Sequence, residues 1–290
     1  MAIVTDFLAL DDHRADTLEP ILTRAIGYAQ AWRERQVPHA LEGVRVALIV
    51  DDGGWRNTTA FELGVKAMGG LCVRAPISLA GKEAVGDVAQ FLDNWFDIVV
   101  IRTPDLGQLR RLAEAATLPV INARTRSNHP CETLGDLAYV LQQRGDLSDL
   151  RVAVVAPDDN ILGSWAEAAA VLPIEVVQIY PERWHARRFA MIERFSATTE
   201  MGALASADVV ITDSWPKDVE PAEVLDYQIA AATLEHFAPD GLFIPCPPVT
   251  RGQEVAADAM VSPSCHVIAA KAFLLHAQNA LLEAVAHAIQ

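Results

Sequence analysis

The sequence predicts an α/β protein built from two doubly wound parallel-sheet domains. Short runs rich in Val and Ile alternate with longer amphipathic stretches, and this alternation of strand and helix is typical of α/β units. The chain has 290 residues, of which 51% are hydrophobic. At roughly 150 residues per domain, that length predicts two domains with substantial cores.

The predicted strands are short apolar runs bounded by turn or charged residues, the pattern of strands buried on both faces of a sheet. In chain order they are Val44–Val50, Asp97–Ile101, Pro119–Asn122, Arg151–Ala156, Ile174–Ile179, Asp208–Thr212 and Leu242–Ile244. They form two series, one ending near Asn122 and one beginning near Leu150. We therefore expect each series to build its own sheet.

The predicted helices lie between these strands and carry apolar residues at helical spacing. They are Thr58–Ala67, Val85–Asn94, Leu106–Ala116, Thr133–Gln143 and Leu162–Val171. An opening helix, Thr17–Arg35 with Asp16 as its N-cap, and a closing helix, Ile268–Ile289, flank the two series. The helix Thr133–Gln143 would bridge the series, which places the hinge near Gly145.

Composition excludes several classes of protein. The chain carries 23 Lys and Arg against 38 Asp and Glu, a formal net charge of −15, so no nucleic acid is expected as a partner. The start of the chain has no basic segment and the apolar runs are far shorter than a membrane span. The four cysteines lack CxxC spacing. We expect a cytoplasmic protein with reduced cysteines and no membrane partner.

Ligands of open α/β sheets bind at the carboxyl ends of strands, so the residues just after each strand are candidates for a site. After the first strand, Gly53 and Gly54 lead into a helix with Arg56 nearby. This outlines an anion site, although an ordinary strand-to-helix turn has the same pattern. Arg102 ends the next strand, where an unpaired arginine is costly, which favours a functional role over the alternative of a structural ion pair. His129 follows the third strand and fits either an acid–base or donor role or a helix cap.

The sequence gives only weak indications of a cofactor, a metal or a nucleophile. No GxGxxG fingerprint follows any predicted strand, so no dinucleotide or other cofactor is expected. The carboxylate pairs Asp51–Asp52 and Asp158–Asp159 have no histidine or third carboxylate at ligand spacing, so we assign no metal. Cys131 and Cys246 remain minor candidates for a nucleophile.

A series of short motifs runs through the whole chain in a fixed order. In the first half they are Leu41-Glu42-Gly43, Arg56 before Phe61-Glu62-Leu63-Gly64, Met68-Gly69-Gly70, Lys82-Glu83 and His129-Pro130-Cys131-Glu132. In the second half they are Asp158 to Ser164, Thr212-Asp213-Ser214-Trp215, Cys246-Pro247-Pro248, Arg251-Gly252-Gln253-Glu254-Val255 and His276-Ala277-Gln278. In this order they resemble the aspartate/ornithine carbamoyltransferase family, whose motifs include STRTR, SFE, LGG, KES, HPCQ, GDGNN, TDVW, HCLP and RGEEV.

The resemblance implies two doubly wound domains of that family's type. Residues 1–137 would form a carbamoyl-phosphate-binding domain, with the C-terminal helix 268–290 packing back on it, and residues 138–267 an amino-acid-binding domain. It implies a transferase that moves a carbamoyl group from carbamoyl phosphate to a small-molecule amine or amino acid. It also implies a homotrimer or a higher oligomer whose subunits share active sites.

By matching positions, the resemblance assigns roles to individual residues. Arg102 and His129 would be catalytic, as donors to the carbonyl oxygen on which charge develops. The donor-binding residues would be Trp55, Arg56, Asn57, Thr58 and Glu132. The substrate-binding residues would be Asn160, Asp213, Cys246, Pro247 and Arg251.

The donor site departs from the family pattern. Gly54 and Trp55 stand where the family has two hydroxyl residues before Arg56. Each hydrogen bond to a charged group contributes roughly 1.5–3 kcal/mol, so donor binding is weakened unless Asn57 or Thr58 compensates. Glu132 replaces the glutamine of HPCQ, so it can accept from an NH₂ group but repels an anion.

The acceptor side departs as well, and three functions remain open. Lys217-Asp218-Val219 replaces the SMG of ornithine enzymes, and prolines flank Cys246, so ornithine is not expected as the acceptor. Ser78 is shorter than the glutamine that a neighbouring subunit lends in the family. The favoured function is a carbamoyltransferase acting on another amino-bearing metabolite. The alternatives are the same fold with a different donor or C–N bond chemistry, in which Trp55 lines the ligand pocket, and a non-catalytic amino-acid-binding relative.

Overall fold

The computed structural model describes residues 4–51 and 53–289. The chain divides into two compact units, which we call unit 1, Met1–Gly145 with Lys271–Gln290, and unit 2, Asp146–Ala270. Each unit has one sheet, and every strand pair in both sheets is parallel. The predicted fold class, two parallel-sheet α/β domains, is confirmed.

Unit 1 contains a four-stranded sheet in the order β2-β1-β3-β4. Its strands are β1 (Arg45–Val50), β2 (Leu71–Arg74), β3 (Ile98–Arg102) and β4 (Val120–Arg124). Its helices are α1 (Ala15–Arg33), α2 (Trp55–Ala67), α3 (Val85–Trp95), α4 (Leu106–Ala115) and α5 (Pro130–Arg144). The centre of β1, β3 and β4 is almost completely buried, as expected for strands covered by helices on both faces.

Unit 2 contains a five-stranded sheet in the order β7-β6-β5-β8-β9. Its strands are β5 (Leu150–Val155), β6 (Ile174–Ile179), β7 (Phe195–Thr198), β8 (Val209–Thr212) and β9 (Leu242–Pro245). Its helices are α6 (Asn160–Val171), α7 (Pro221–Val224) and α8 (Ala231–Phe237). Strand order reverses at β1 in unit 1 and at β5 in unit 2, and ligands of such sheets bind at the carboxyl ends of strands around that reversal.

The C-terminal helix α9 (Val267–Ile289) packs on helices of unit 1, as predicted. Arg24 of α1 donates to Glu283 of α9 through two hydrogen bonds of 2.5 and 2.8 Å. Gly135 of α5 lies so close to α9 that a Cβ added there would be 3.0 Å from the backbone nitrogen of Leu274. The small residue therefore permits a close helix crossing.

The structure corrects the sequence predictions at helix starts and at two strands. Asp16 is not the N-cap of α1, because the helix begins at Ala15 with Arg14 as the N-cap and Asp16 in the first turn. There the Asp16 carboxylate lies 3.3 Å from the Arg14 side chain and faces the positive end of the helix dipole. Strands β2 and β7 were missed because both are four-residue edge strands with exposed positions.

Across residues 4–51 and 53–289, none of the helices combines the length and the apolar character needed to cross a membrane.

Candidate active site

Three arginines gather at the carboxyl ends of neighbouring strands in unit 1. Arg102 ends β3 and Arg124 ends β4, and the two are paired in register. Arg56 lies in the first turn of α2, directly after β1. Their charges act on His129 and Glu132 in the same region. The combination of guanidinium groups and a helix N-terminus suits an anionic ligand. Arg124 was not among the predicted site residues, although it has the strand-end position that singled out Arg102.

Gly54, the N-cap residue of α2, leaves room for Arg102. It has φ +123° and ψ 53°, a conformation that favours glycine. A Cβ at this position would lie 2.4 Å from Cζ of Arg102. The Arg102 guanidinium therefore takes the space that a serine side chain would need here.

Asn57 and Thr58 use their side-chain donors inside the protein. Asn57 Nδ2 donates to the Ala123 carbonyl at 3.2 Å. The Thr58 hydroxyl lies 3.3 Å from the carbonyls of Gly54 and of Trp55, to which it donates. Both side chains are buried. The suggested compensation for the lost hydroxyls is thus not formed by these side chains.

Trp55 points mostly into solvent. Its side chain is 68% exposed, and the Arg56 guanidinium carbon lies 5.0 Å from its ring centroid. This arrangement is a cation–π contact on the surface. It counts against the alternative in which Trp55 lines a remodelled donor pocket.

His129 is buried and neutral at the N-terminus of α5. It is the N-cap residue of that helix, and its Nε2 lies 3.7 Å from a Glu132 carboxylate oxygen. Burial lowers the pKa of His129 to about 4; Glu132 opposes this shift, while the positive charges of Arg102 and Arg124 add to it. A neutral imidazole has one N–H to donate, which fits a hydrogen bond to a carbonyl oxygen.

Lys271 of α9 forms a buried cluster with two acidic residues of α5. Its Nζ lies 3.0 Å from Glu132 Oε1 and 2.9 and 2.7 Å from the two carboxylate oxygens of Asp136. Burial alone would raise the pKa of Glu132, but the positive charges around it, Lys271 foremost, lower it below its usual value. Burial raises the pKa of Asp136 to about 6 although Lys271 opposes the shift.

Sequence analysis missed Lys271, even though it is the one basic residue among the apolar stretch that opens α9. Its position changes the interpretation of Glu132. The carboxylate that was expected to repel an anion has a cation 3.0 Å away, and this cation, which Glu132 shares with Asp136, offsets part of its negative charge.

In unit 2, three of the predicted substrate-binding residues lie at the carboxyl ends of neighbouring strands β5, β8 and β9. Asn160 begins α6 and donates its backbone N–H to Asp159 Oδ1 at 2.6 Å. Asp213 follows β8 and accepts from the Ser214 N–H at 2.8 Å. Cys246 follows β9 and donates its N–H to the Thr212 carbonyl at 2.9 Å.

Pro247 and Arg251 lie on the loop that follows β9. Glu254 anchors this loop by accepting from the Thr250 N–H at 2.6 Å, and its own carbonyl accepts from the Ile229 N–H at 3.0 Å. Arg251 is exposed and Pro247 is half-buried. The structure thus brings Asn160, Asp213 and Cys246 to one sheet edge and leaves Arg251 on the adjoining loop.

Tyr180 is a further residue of this edge that the sequence analysis did not single out. It follows β6 and is 1% exposed. Burial, reinforced by the carboxylates of Glu254 and Asp213, raises its pKa. The hydroxyl therefore stays neutral under the influence of Asp213, which follows β8, and of Glu254, which lies on the loop after β9. A tyrosine directly after a buried strand was the signal available in the sequence.

The fold and the site first define a class: a protein with a parallel α/β sheet in each of two units and a cationic site at the strand ends of one. Residues 5–142 match the family model for the aspartate/ornithine carbamoyltransferase carbamoyl-P binding domain. Residues 148–285 match the model for the Asp/Orn binding domain. The chain therefore belongs to the aspartate/ornithine carbamoyltransferase family and is a transferase of the carbamoyltransferase type.

Relatives and solved structures agree with this assignment. The chain is 30% identical over 298 residues to an ornithine carbamoyltransferase of Symbiobacterium thermophilum, covering 96% of each chain. It is 31% identical over 294 residues to one of Nitrobacter winogradskyi, covering 95% of each. The structure of ornithine carbamoyltransferase from Pyrococcus furiosus matches with a TM-score of 0.92 and 27% identity, over 99% of this chain and 100% of that one.

Proposed function

We propose that the protein transfers a carbamoyl group from carbamoyl phosphate to the amino group of an amino acid or related metabolite other than ornithine. The observation that carries the proposal is the convergence of Arg56, Arg102 and Arg124 with a neutral, buried His129 at one sheet edge. In this proposal unit 1 binds the donor and unit 2 binds the acceptor.

On the donor side, the phosphate group suits the guanidinium groups and the first amides of α2. Arg102 and His129 would donate to the carbonyl oxygen, and such donors stabilise the negative charge that develops on it during attack. The amine nitrogen forms a bond to the carbonyl carbon, the bond from that carbon to the phosphate oxygen breaks, and the amine loses a proton. Inorganic phosphate leaves with the bonding electron pair.

On the acceptor side, the Asp213 carboxylate suits the ammonium group of an amino acid before it is deprotonated for attack. The relatives that the chain matches are named ornithine carbamoyltransferase, which makes ornithine the reference acceptor. The segment after Trp215 favours another acceptor, because an exposed Lys217 follows Pro216 there.

A binding-only relative is the less favoured function. Such a protein has little use for an arginine and a neutral histidine placed together, and burying His129 has a cost that a catalytic role would explain.

The test is a phosphate-release assay with carbamoyl phosphate and a panel of amino acids and diamines that includes ornithine, with product mass as the second readout. We expect turnover with at least one acceptor, and His129→Gln should lower kcat by about 10²–10³-fold, the usual cost of losing one such donor. The control is Arg187→Ala in unit 2, an exposed position, which should leave kcat unchanged.

The same protein should be protected against heating by carbamoyl phosphate. A ligand at about 100 times its Kd adds about 2.7 kcal/mol to the stability. Absence of turnover with every acceptor would contradict the proposal, and absence of protection at millimolar carbamoyl phosphate as well would show that the protein does not bind this donor.

We further propose that the protein works in the cytoplasm as a homotrimer or higher oligomer. All four cysteines are free thiols, which suits a reducing compartment. Unit 1 exposes large apolar side chains on α2, β2 and α3, namely Leu63, Leu71, Val73, Phe91 and Trp95. Contact between copies of the chain would cover such a surface.

A further inference from the structure

We propose that Lys271 is a positioning residue that holds Glu132 as a fixed acceptor for the NH₂ group of the donor, and thereby makes the donor site select carbamoyl phosphate over acetyl phosphate. The inference rests on the proposed function, since it takes an acyl phosphate as the donor. It concerns a contact between α5 and α9 within unit 1.

The two carboxylate oxygens of Glu132 have different neighbours, Lys271 and His129. Oε1 faces Lys271 Nζ at 3.0 Å, and Oε2 faces His129 Nε2 at 3.7 Å. An ionised carboxylate has about four acceptor positions, so the edge near His129 retains acceptor capacity. Because His129 is the expected donor to the carbonyl oxygen, that edge lies on the side where the NH₂ group of a bound carbamoyl group would be.

A structural brace does not require Glu132. Lys271 already contacts both oxygens of Asp136 at 2.9 and 2.7 Å, which alone would balance its charge. Glu132 lies one helical turn before Asp136 and adds a second carboxylate to a cluster whose side chains are 11% exposed or less. Like charges at this spacing are unfavourable, and buried ions are costly to desolvate. A role for the Glu132 charge at the site accounts for its presence.

The chemistry then separates two donors of nearly the same shape. Carbamoyl phosphate has an NH₂ group where acetyl phosphate has a methyl group. The NH₂ group donates to the carboxylate, whereas the methyl group leaves a buried charged acceptor without a partner. Sites built to bind a polar group can reject the analogue that lacks it by up to about 10⁴–10⁵-fold.

Four variants test the inference. Lys271→Met removes the cation from the cluster. Asp136→Asn leaves a balanced Lys271–Glu132 pair, and Glu132→Met leaves a balanced Lys271–Asp136 pair without the acceptor. Lys66→Met, at an exposed position of α2, is the matched control for loss of a lysine. If Lys271→Met does not fold, Lys271→Gln replaces it, because the amide keeps a hydrogen-bond donor at the same place.

The measurement is the ratio between the inhibition constant of acetyl phosphate and the KM of carbamoyl phosphate, together with kcat and the midpoint of thermal unfolding. We expect the ratio to be about 100 or more for the wild-type protein, Asp136→Asn and Lys66→Met. It should fall at least tenfold in Lys271→Met and in Glu132→Met, through a higher KM.

A purely structural role of Lys271 predicts a different result. Lys271→Met and Asp136→Asn would then lower the unfolding midpoint alike and leave the ratio unchanged, which would overturn the inference. If the wild-type protein transfers no carbamoyl group to any acceptor, the proposed function fails instead. In that case, protection against heating by each acyl phosphate still reports the ratio and decides on Lys271.

Discussion

Among single residues, the proposed donor site combines positions that agree with the family pattern and positions at which a different residue changes both the backbone and its neighbours. Arg56 and His129 match the family pattern in sequence, whereas Gly54 lacks the hydroxyl of that pattern and leaves space that the Arg102 guanidinium occupies at the start of α2. Placing the family's serine at position 54 would therefore not restore the family's phosphate site, because the Arg102 guanidinium occupies that space.

The first prediction follows from this. Gly54→Ser should lower both the unfolding midpoint and the affinity for carbamoyl phosphate, although it restores a hydroxyl. The backbone has φ +123°, so a side chain there costs roughly 1–3 kcal/mol of strain, and its Cβ would displace the Arg102 guanidinium. Gly53→Ala is the matched control, since no atom lies within 4 Å of its Cβ. Tighter donor binding by Gly54→Ser would show that Arg102 moves aside without cost.

The stability of the protein should depend on pH through His129. Because the pKa of His129 is lowered from 6.5 to about 4, the unfolded chain takes up a proton at His129 below pH 6.5 while the folded chain does not. Stability is therefore lost as the pH falls from 6.5 to 4. Between pH 7 and pH 5 the loss is about 2 kcal/mol, from 1.36 kcal/mol per pKa unit.

Asp136 has the opposite effect on stability as the pH falls. Its pKa is raised from 3.8 to about 6, so the folded chain binds that proton first and gains stability as the pH falls from 6 to 3.8.

Urea titrations at pH 7 and pH 5 separate the contributions of His129 and Asp136. In His129→Gln the drop in the free energy of unfolding should be smaller than in the wild-type protein by about 2 kcal/mol, and an equal drop in both would refute the buried neutral histidine.

A site residue can be predicted from the sequence only when the pattern that indicates it lies in the residues next to it. Arg102 and His129 could be proposed from the sequence because Arg102 ends an apolar strand and His129 lies on the segment after the next one, and strand ends are where ligands bind. Lys271 could not be found in this way, because its partner Asp136 is 135 residues away in sequence. Asn57 and Thr58 have donors that only the fold shows to be used internally.

At the scale of elements, the buried strands were predictable and the edges were not. Strand β6 has the predicted bounds, Ile174–Ile179, because continuous burial imposes an apolar run. Strands β2 and β7 are only four residues long and have partly exposed positions, so neither has the longer continuous apolar run that predicts a buried strand. They pair because β1 and β6, the strands next to them, offer free backbone groups at the edge of each sheet.

The crossing of α5 and α9 gives the third prediction. Gly135→Ala should destabilise unit 1 by about 1–3 kcal/mol, the usual cost of overpacking, although alanine favours a helix by up to about 1 kcal/mol over glycine. The reason is that the new Cβ would lie 3.0 Å from the Leu274 nitrogen and 3.1 Å from its Cα, and a helix backbone cannot give way as a side chain can.

The matched control is Gly27→Ala in α1, where the nearest atom to the Cβ is Arg24 Nη1 at 3.8 Å. This variant should gain stability from the better helix propensity. Thermal unfolding of both variants is the measurement. Equal gains in the two would mean that the helices separate at Gly135 without loss.

At the scale of the whole molecule, charge is distributed unevenly. The chain has a formal net charge of −15, yet Arg56, Arg102, Arg124 and Lys271 contribute to one small region of unit 1. A local excess of cations within an acidic protein draws a small anion to that region, while the overall negative charge disfavours large polyanions. Composition predicted the second property, and only the fold shows the first.

Assembly of the protein should depend on the exposed edge of the unit 1 sheet. Strand β2 lies at the edge of the unit 1 sheet, where Leu71 and Val73 are 59% and 40% exposed. An apolar edge strand left open invites further pairing, so contact between copies is expected to cover it. Leu71→Lys should therefore shift the protein towards monomer in light scattering coupled to size-exclusion chromatography. Met191→Lys is the matched control, because Met191 is 95% exposed in unit 2 and should not alter the mass. If neither variant changes the mass of an oligomeric wild-type protein, the subunits meet through another surface; if the wild-type protein is itself a monomer, the proposed assembly is wrong.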